Sequence, residues 1–401
     1  LRLDVGAIRI RDADAVHSFG DAGAQAPCDI YVSDPRFYRY LLWGGSLGAG
    51  DAYVRGCWHG GDLLPLMRLL ARNSDAIAGV DSAWSLISSA GGKLVRLAHL
   101  NTRRGSRRNI RAHYDLSNEF FAEFLDPTMT YSCGLFATPE TTLEQASLAK
   151  YERACRQLQL DPGDHVLEIG CGWGGFAEYA SRRYGCRVTG VTISQRQFEY
   201  ARRRIDVAGL SDRVEIRLCD YRDLEGRFDK AVSIEMIEAV GHEFLSQFFS
   251  KCCSLLRPDG LMFLQAITIP DRRYDRYRHS TDFIQKYIFP GGCLPSLGAL
   301  SGALRPTDFT IVDQRDFAAD YARTLVHWRR RFLAAASRVR QQGFDDRFLR
   351  MWDYYLCYCA AGFFQRQIGL SQLVLAREQA CWESPARRKR YRESGSSQYC
   401  D

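Results

Sequence analysis

The residues with the clearest capacity for chemistry are the glycines of Val166-Leu167-Glu168-Ile169-Gly170-Cys171-Gly172-Trp173-Gly174-Gly175. Glycines at this density let backbone N–H groups come close to a ligand. A helix starting directly after them adds the positive end of its dipole. The flanks supply that setting. Residues 165–169 (HVLEI) read as a buried parallel strand, and Phe176-Ala177-Glu178-Tyr179-Ala180 opens a helical pattern. A strand that runs through a glycine turn into a helix is a nucleotide-binding junction, although an ordinary tight turn between strand and helix uses the same residues.

The spacing is G-x-G-x-G-G rather than the G-x-G-x-x-G of dinucleotide sites. It resembles motif I of class I S-adenosylmethionine-dependent methyltransferases. That ligand carries a sulfonium and an amino acid in place of a pyrophosphate, so acidic groups belong near its cationic parts. Glu168, two residues before the first glycine, suits that role, and its alternative is to cap the following helix.

The surrounding pattern positions this turn. The stretch Thr141-Thr142-Leu143-Glu144 has the form of a capping box. The helix it starts runs to about Leu160, with Leu148, Tyr151, Cys155 and Leu158 on one face. Strands are then expected at Val166–Ile169, Arg187–Thr192, Val214–Leu218, Ala231–Ile234 and Leu261–Ile267. Helices alternate with them, which implies a parallel doubly wound sheet. Ligands bind at the carboxyl ends of such strands, where Glu168, Thr192, Asp220, Glu238 and Gln265 all fall. Pro270 to Ser296 is an aromatic and glycine-rich insertion that reads as a lid. Phe309–Val312 and Leu373–Leu375 read as late strands, with aromatic-rich helices between them.

The 401 residues suffice for two or three domains. Residues 1–105 read as a smaller, mainly helical domain able to hold an acyl chain, with turns at Leu41–Gly45 and Gly48–Gly50 and helices at Asp62–Arg72, Ala83–Ala90 and Lys93–Leu100. Residues 106–384 read as the main domain with its lid at 270–296, and residues 385–401 as a basic polar tail. Beginning at Leu1 rather than Met, the chain reads as trimmed at its start. No run reaches the ~18 apolar residues of a membrane span. The 14 cysteines are scattered without a C-x-x-C, as expected of reduced thiols in a cytoplasmic protein with no metal site. The net charge of +7 is clustered at Arg103 to Arg111, Arg272 to Arg278, Arg329 to Arg331 and Arg387 to Arg390. Clusters of this kind suit an anionic surface, although each also reads as a solvated helix face. No nucleic-acid-binding motif accompanies them, so phospholipid headgroups are the expected partner and nucleic acid is not.

The motifs HYDLSNEFF, TYSCGLF, VLEIGCGWGGFA, GVTISQRQ, CDYRDL, EMIEAVGHE, YIFPGGCLPS and ADYARTL occur in this order. Together they resemble the cyclopropane-fatty-acyl-phospholipid synthases and the related mycolic acid methyltransferases, most closely the branch that includes the plant enzymes. The resemblance covers about residues 107 to 380. It implies a class I, Rossmann-like methyltransferase fold and transfer of a methylene carbon to a cis double bond of an unsaturated phospholipid acyl chain. By resemblance, Tyr131, Ser132, Gly170, Gly172, Gly174, Thr192, Gln197, Asp220 and Tyr221 hold S-adenosylmethionine. Cys133, Glu238, Gln265, Ile267 and Tyr321 match positions that hold a bicarbonate ion, the base that closes the ring. The better-known bacterial enzymes carry His where this chain has Gln265, and the plant-like branch carries Gln.

The chemistry agrees with this set of residues. An alkene is a poor nucleophile and needs a dry, preorganised pocket. The resulting cation calls for aromatic faces and a carboxylate. Alternatives stay open at single positions: a capping box for Ser194 with Gln197, a turn residue for Asp220, an ordinary half-buried aromatic for Tyr321, and only a backbone N–H from Cys133. So do a methyl-branched or methylene lipid product, a small-molecule N-methyltransferase and an inactive lipid binder. The implied location is the cytoplasmic face of a membrane, bound peripherally, and a homodimer is left open.

Overall fold

The computed structural model describes residues 3–21, 27–74 and 116–385. Expectations for Ala83–Ala90, Lys93–Leu100, the basic stretch 101–111, the first three residues of HYDLSNEFF and the tail 386–401 lie outside them. The chain divides into two compact units.

The first unit comprises residues 1–99, 279–290 and 321–368. Helix outweighs strand in its described N-terminal part, as expected, and a small sheet is added to it. Strands β1 (Ala7–Arg11), β2 (Val16–Gly20), β3 (Cys28–Val32) and β4 (Trp58–Gly60) form a sheet in the order β2-β1-β3-β4. These strands are three to five residues long, too short for a period-two pattern to declare itself. Residues 41–50 are not turns, because they lie in the helix Arg36–Val54, kinked at Gly45 (φ 53°, ψ −134°). Gly50 serves close packing: a Cβ there would stand 2.7 Å from the Phe283 ring. The helix Leu63–Arg72 is capped by Asp62, whose side chain accepts from Leu64 N at 3.1 Å.

Residues 321–368 join this unit rather than the main domain, a second correction, because their side chains find partners far back in the chain. Arg329 donates to Asp353 at 2.6 Å and to Asp62 at 2.8 Å. The Tyr53 ring lies 5.5 Å from Tyr354, and its hydroxyl donates to Asp353 at 3.3 Å. An ion pair between residues 267 positions apart leaves no local pattern. The expected lid is divided as well: residues 279–290 belong to this unit and 270–278 and 291–296 to the other.

The second unit holds a seven-stranded sheet in the order β10-β11-β9-β8-β5-β6-β7. Its strands are β5 (His165–Ile169), β6 (Arg187–Thr192), β7 (Val214–Leu218), β8 (Phe228–Ile234), β9 (Leu256–Thr268), β10 (Thr310–Asp316) and β11 (Gly369–Ala376). The first five are parallel, while β11 pairs antiparallel with β9 and with β10. Neighbouring residues of β5 serve opposite faces. Leu167 and Ile169 join the core around Phe248, Phe249 and Leu264, and Val166 joins the core around Phe176, Val188 and Phe263. Burial on both faces is why these strands read as continuous apolar runs. Strand order reverses between β5 and β8, which opens a crevice at their carboxyl ends. The helix Leu143–Leu158 is capped by Thr142 with Gln145, one residue later than the box read from sequence.

Candidate active site

Strand β5 leaves the sheet through glycines in the left-handed region: Gly170 (φ 83°), Gly172 (φ 52°) and Gly174 (φ 81°). Their surroundings separate packing from ligand approach. A Cβ on Gly170 would lie 2.8 Å from Met236 Cγ, and one on Gly174 would lie 3.1 Å from Ala201 Cβ. A Cβ on Gly172 would meet nothing within 4 Å, so this glycine faces open space. Around the turn, the Phe121 ring lies 5.0 Å from Trp173 and 5.1 Å from Tyr131. Trp173 Nε1 donates to Asn118 Oδ1 at 2.8 Å.

Glu168 takes the capping role anticipated for it. The backbone N–H of Ala177, in the first turn of the helix Gly175–Tyr184, hydrogen-bonds its carboxylate. Its Oε2 is buried without a hydrogen-bond partner among the described residues. Burial pushes the carboxyl up to about 8, against the opposing pull of the Lys150 charge. A buried oxygen without a partner beside an open glycine fits a ligand with cationic groups.

The next strand ends are more occupied. Thr192 Oγ1 donates to Gln197 Oε1 at 2.8 Å and accepts from Ser194 N at 3.2 Å. Ser194 caps the helix Gln195–Val207 by accepting from Gln197 N at 3.4 Å. The cap of the capping box is therefore present, but the Gln197 side chain turns to Thr192. Asp220 takes the turn role, accepting from Arg222 N at 3.0 Å, and pairs with Arg222 Nε at 2.9 Å and Nη2 at 2.6 Å. The Tyr221 ring lies 5.4 Å from Phe248.

At the ends of β8 and β9 the structure brings Cys133, Gln265, Glu238 and Ile267 into one polar cluster, organised by a residue that sequence reading did not single out. Glu235 Oε1 accepts from Cys133 N at 2.9 Å and from Gln265 Nε2 at 2.7 Å. The backbone N–H of Glu235 donates to Gln265 O at 2.8 Å. Glu238 Oε1 accepts from Ile267 N at 2.5 Å, and its Oε2 is buried without a hydrogen-bond partner among the described residues. Burial first, and the neighbouring Glu235 charge second, push the Glu238 carboxyl up to about 8.

Behind these groups runs a one-way relay. Arg153 Nε donates to Gln372 Oε1 at 2.7 Å, and Gln372 Nε2 donates to Gln265 Oε1 at 2.7 Å. Lys150, fully buried, donates to Ser132 Oγ, and burial lowers its ammonium to about 8 against the attraction of Glu235. Tyr321 belongs to the first unit, where it is buried with its ring stacked 4.3 Å from Phe363. Cys133 contributes its backbone N–H, while its thiol hydrogen-bonds Gly134 O at 3.1 Å.

Glu235, Lys150 and Gln372 left faint signals in the sequence. Glu235 stands just past a strand end, three residues before Glu238. Lys150 falls within the apolar stripe of its helix, next to Tyr151 and one turn from Ala146, Ser147 and Ala154. Gln372, with Ser371, interrupts an otherwise apolar strand.

The chain is similar to known proteins along most of its length. The family model described as mycolic acid cyclopropane synthetase matches residues 101–373. Tuberculostearic acid methyltransferase UfaA1 of Mycobacterium tuberculosis (strain H37Rv) is 41% identical over 90% of this chain and 85% of its own. The cyclopropane-fatty-acyl-phospholipid synthase of Escherichia coli (strain K12) is 39% identical over 88% of each chain. The crystal structure of mycolic acid cyclopropane synthase CmaA1 complexed with SAH and CTAB superposes with a TM-score of 0.64 at 32% identity, covering 67% of this chain and 98% of that one. Fold and comparisons together define an S-adenosylmethionine-dependent methyltransferase. The chain belongs to the mycolic acid cyclopropane synthetase family.

Proposed function

We propose that this methyltransferase adds a methylene carbon to the cis double bond of an unsaturated phospholipid acyl chain and closes a cyclopropane ring. The observation that carries the reading is the half-buried acidic cluster of Glu235 and Glu238, with Glu238 Oε2 fully buried, close to an open, aromatic-flanked glycine turn. A polar end of this kind is what the last proton transfer needs, while apolar and aromatic walls suit the alkene. The 39% identical synthase supports the substrate class.

S-adenosylmethionine fits the first part of the site, on the evidence of the open space at Gly172 and the unpartnered Glu168 Oε2. It supplies the activated methyl group. Gly170, Gly172 and Gly174 would lie against its methionine portion, with Glu168 toward its cationic groups. Tyr131, Ser132, Thr192, Gln197, Asp220 and Tyr221 would complete its binding. Lys150 holds the Ser132 hydroxyl, and the Thr192–Gln197 bond orders the end of β6. Bicarbonate fits less well. The Cys133 and Ile267 N–H groups and one of the two Gln265 side-chain N–H groups already serve Glu235 and Glu238.

Substrate in a bilayer implies docking on an anionic membrane surface, since no helix among the described residues is long and apolar enough to cross a membrane. Arg272 and Arg276 are exposed and available for it, whereas Arg329 is committed to Asp62 and Asp353. Liposome sedimentation tests this: binding should favour anionic lipid and weaken with salt.

For the reaction, the protein should be expressed in cells with unsaturated lipids and their fatty acids analysed. A gain of CH2 with high-field cyclopropane protons by NMR is expected. Folded, cofactor-binding protein that leaves lipids unchanged would refute the reading. A methyl-branched or methylene product is the second reading, favoured by the 41% identical tuberculostearic acid methyltransferase, and the same NMR spectrum separates it.

A further inference from the structure

Two of the donors expected to hold bicarbonate hold Glu235. The Cys133 N–H has one proton and directs it to Glu235 Oε1 at 2.9 Å. The Gln265 amide is held in one orientation: its Oε1 accepts from Gln372 at 2.7 Å, which leaves Nε2 to donate to the same Glu235 oxygen at 2.7 Å. Flipping the amide would set its carbonyl oxygen against the Glu235 carboxylate oxygen and its NH2 against Gln372 Nε2. The third donor, Ile267 N–H, is taken by Glu238.

The backbone points the same way. Glu235 has φ 51°, in the left-handed region where a glycine sits without strain and a glutamate does not. Strain of this kind persists where the surroundings over-determine it and collects at functional sites. Lys150, buried nearby, supplies an attractive charge that Glu235 feels in return.

We infer that the Glu235 carboxylate is the resident anion of this site, occupying the place that the family resemblance gives to bicarbonate and acting as the base of ring closure. This rests on the lipid-methylation reading for its chemistry, though not for its occupancy. In the step itself, a C–H bond of the newly added methyl group breaks. Its electron pair forms the closing C–C bond of the ring and quenches the cation. The proton passes to Glu235, which becomes a neutral carboxyl and releases the proton to water once product leaves.

Two measurements test it. In the first, carbon-13 NMR of labelled bicarbonate is recorded with the protein loaded with S-adenosylhomocysteine. The parent protein should leave the bicarbonate line sharp. Glu235→Gly, which relieves the backbone and frees the Cys133 and Gln265 donors, should broaden it. Broadening by the parent overturns the inference, as does a sharp line with folded Glu235→Gly. In the second, turnover on unsaturated phospholipid vesicles is followed in carbon dioxide-free buffer. The parent should run at full rate. Glu235→Gln should lose about 100-fold or more in kcat with S-adenosylmethionine affinity within about threefold. A parent rate that requires added bicarbonate, or Glu235→Gln at near-parental kcat, sinks the role as base. A parent that binds cofactor, leaves the bicarbonate line sharp and never alters lipid would refute the lipid reading and with it the base role, while the occupancy assignment would stand on the NMR alone.

Discussion

Gln372 lies directly opposite Gln265 in the antiparallel pairing of β11 with β9, and its Nε2 donates to the Gln265 carbonyl oxygen at 2.7 Å. Cross-strand register thus sets which way a buried amide faces, and so which atom it offers to Glu235. Both glutamines are buried, with at most 1% of their surface exposed.

Replacing Gln372 with Leu should free the Gln265 amide to flip and leave both its oxygen and the Arg153 guanidinium short of a partner. An unsatisfied buried acceptor costs about 1–3 kcal/mol. Urea unfolding should register that loss, and kcat should fall by about tenfold or more while S-adenosylmethionine affinity holds. Unchanged kcat in a destabilised protein would reduce Gln372 to a packing residue.

Lys150 is a buried cation among carboxylates. Lys150→Met keeps the volume and removes the charge that attracts Glu235. Stability should drop by about 1–3 kcal/mol, the usual cost of leaving a buried hydroxyl, here that of Ser132, without its partner. Thermal and urea melts check this. A loss under about 1 kcal/mol would show that the Ser132 hydroxyl is not left without a partner.

Glu238 yields a pH signature. Its folded carboxyl is pushed up to about 8 from an ordinary 4.5. Over that window the folded state keeps a proton that the unfolded chain has released. The stability contributed is therefore complete below about pH 4.5 and is lost as pH rises through about 8, at no more than ~1.4 kcal/mol per pH unit. Glu238→Gln is neutral throughout and should show a shallower decline between about pH 5 and 8 in a urea-melt series. Glu168 titrates in the same direction in both proteins, so the difference in slopes isolates Glu238. Parallel slopes would contradict the assignment. The variant should also lose turnover while retaining cofactor affinity.

Gly172 separates folding from binding. Alanine there has room, since a Cβ meets nothing within 4 Å, but must adopt φ near 52°. The folding cost should be about 1–2 kcal/mol. Cofactor affinity by calorimetry should fall by about tenfold or more, because the methyl group stands where a ligand must approach. Parental affinity would move the cofactor away from this turn.

Much of this protein was determined locally. Continuous apolar strands ending in polar residues declared the parallel sheet, since burial on both faces leaves that mark on each strand independently of the rest. The glycine turn declared the binding junction, because φ above zero and close approach select the same residue in any context. The cap of the helix Leu143–Leu158 was legible to within one residue. What tertiary structure alone decided is the identity of the partners. Cys133 reaches Glu235 across 102 positions, Gln372 reaches Gln265 across 107, and Arg153 reaches Gln372 across 219. Each of these side chains is unremarkable in its own segment. It acquires its role from what the fold sets opposite it, once burial removes water and leaves every donor to find an acceptor within the protein. For the same reason residues 321–368 joined the N-terminal unit, and a glutamate at a glycine-like φ came to hold the donors that the sequence reading had reserved for an ion.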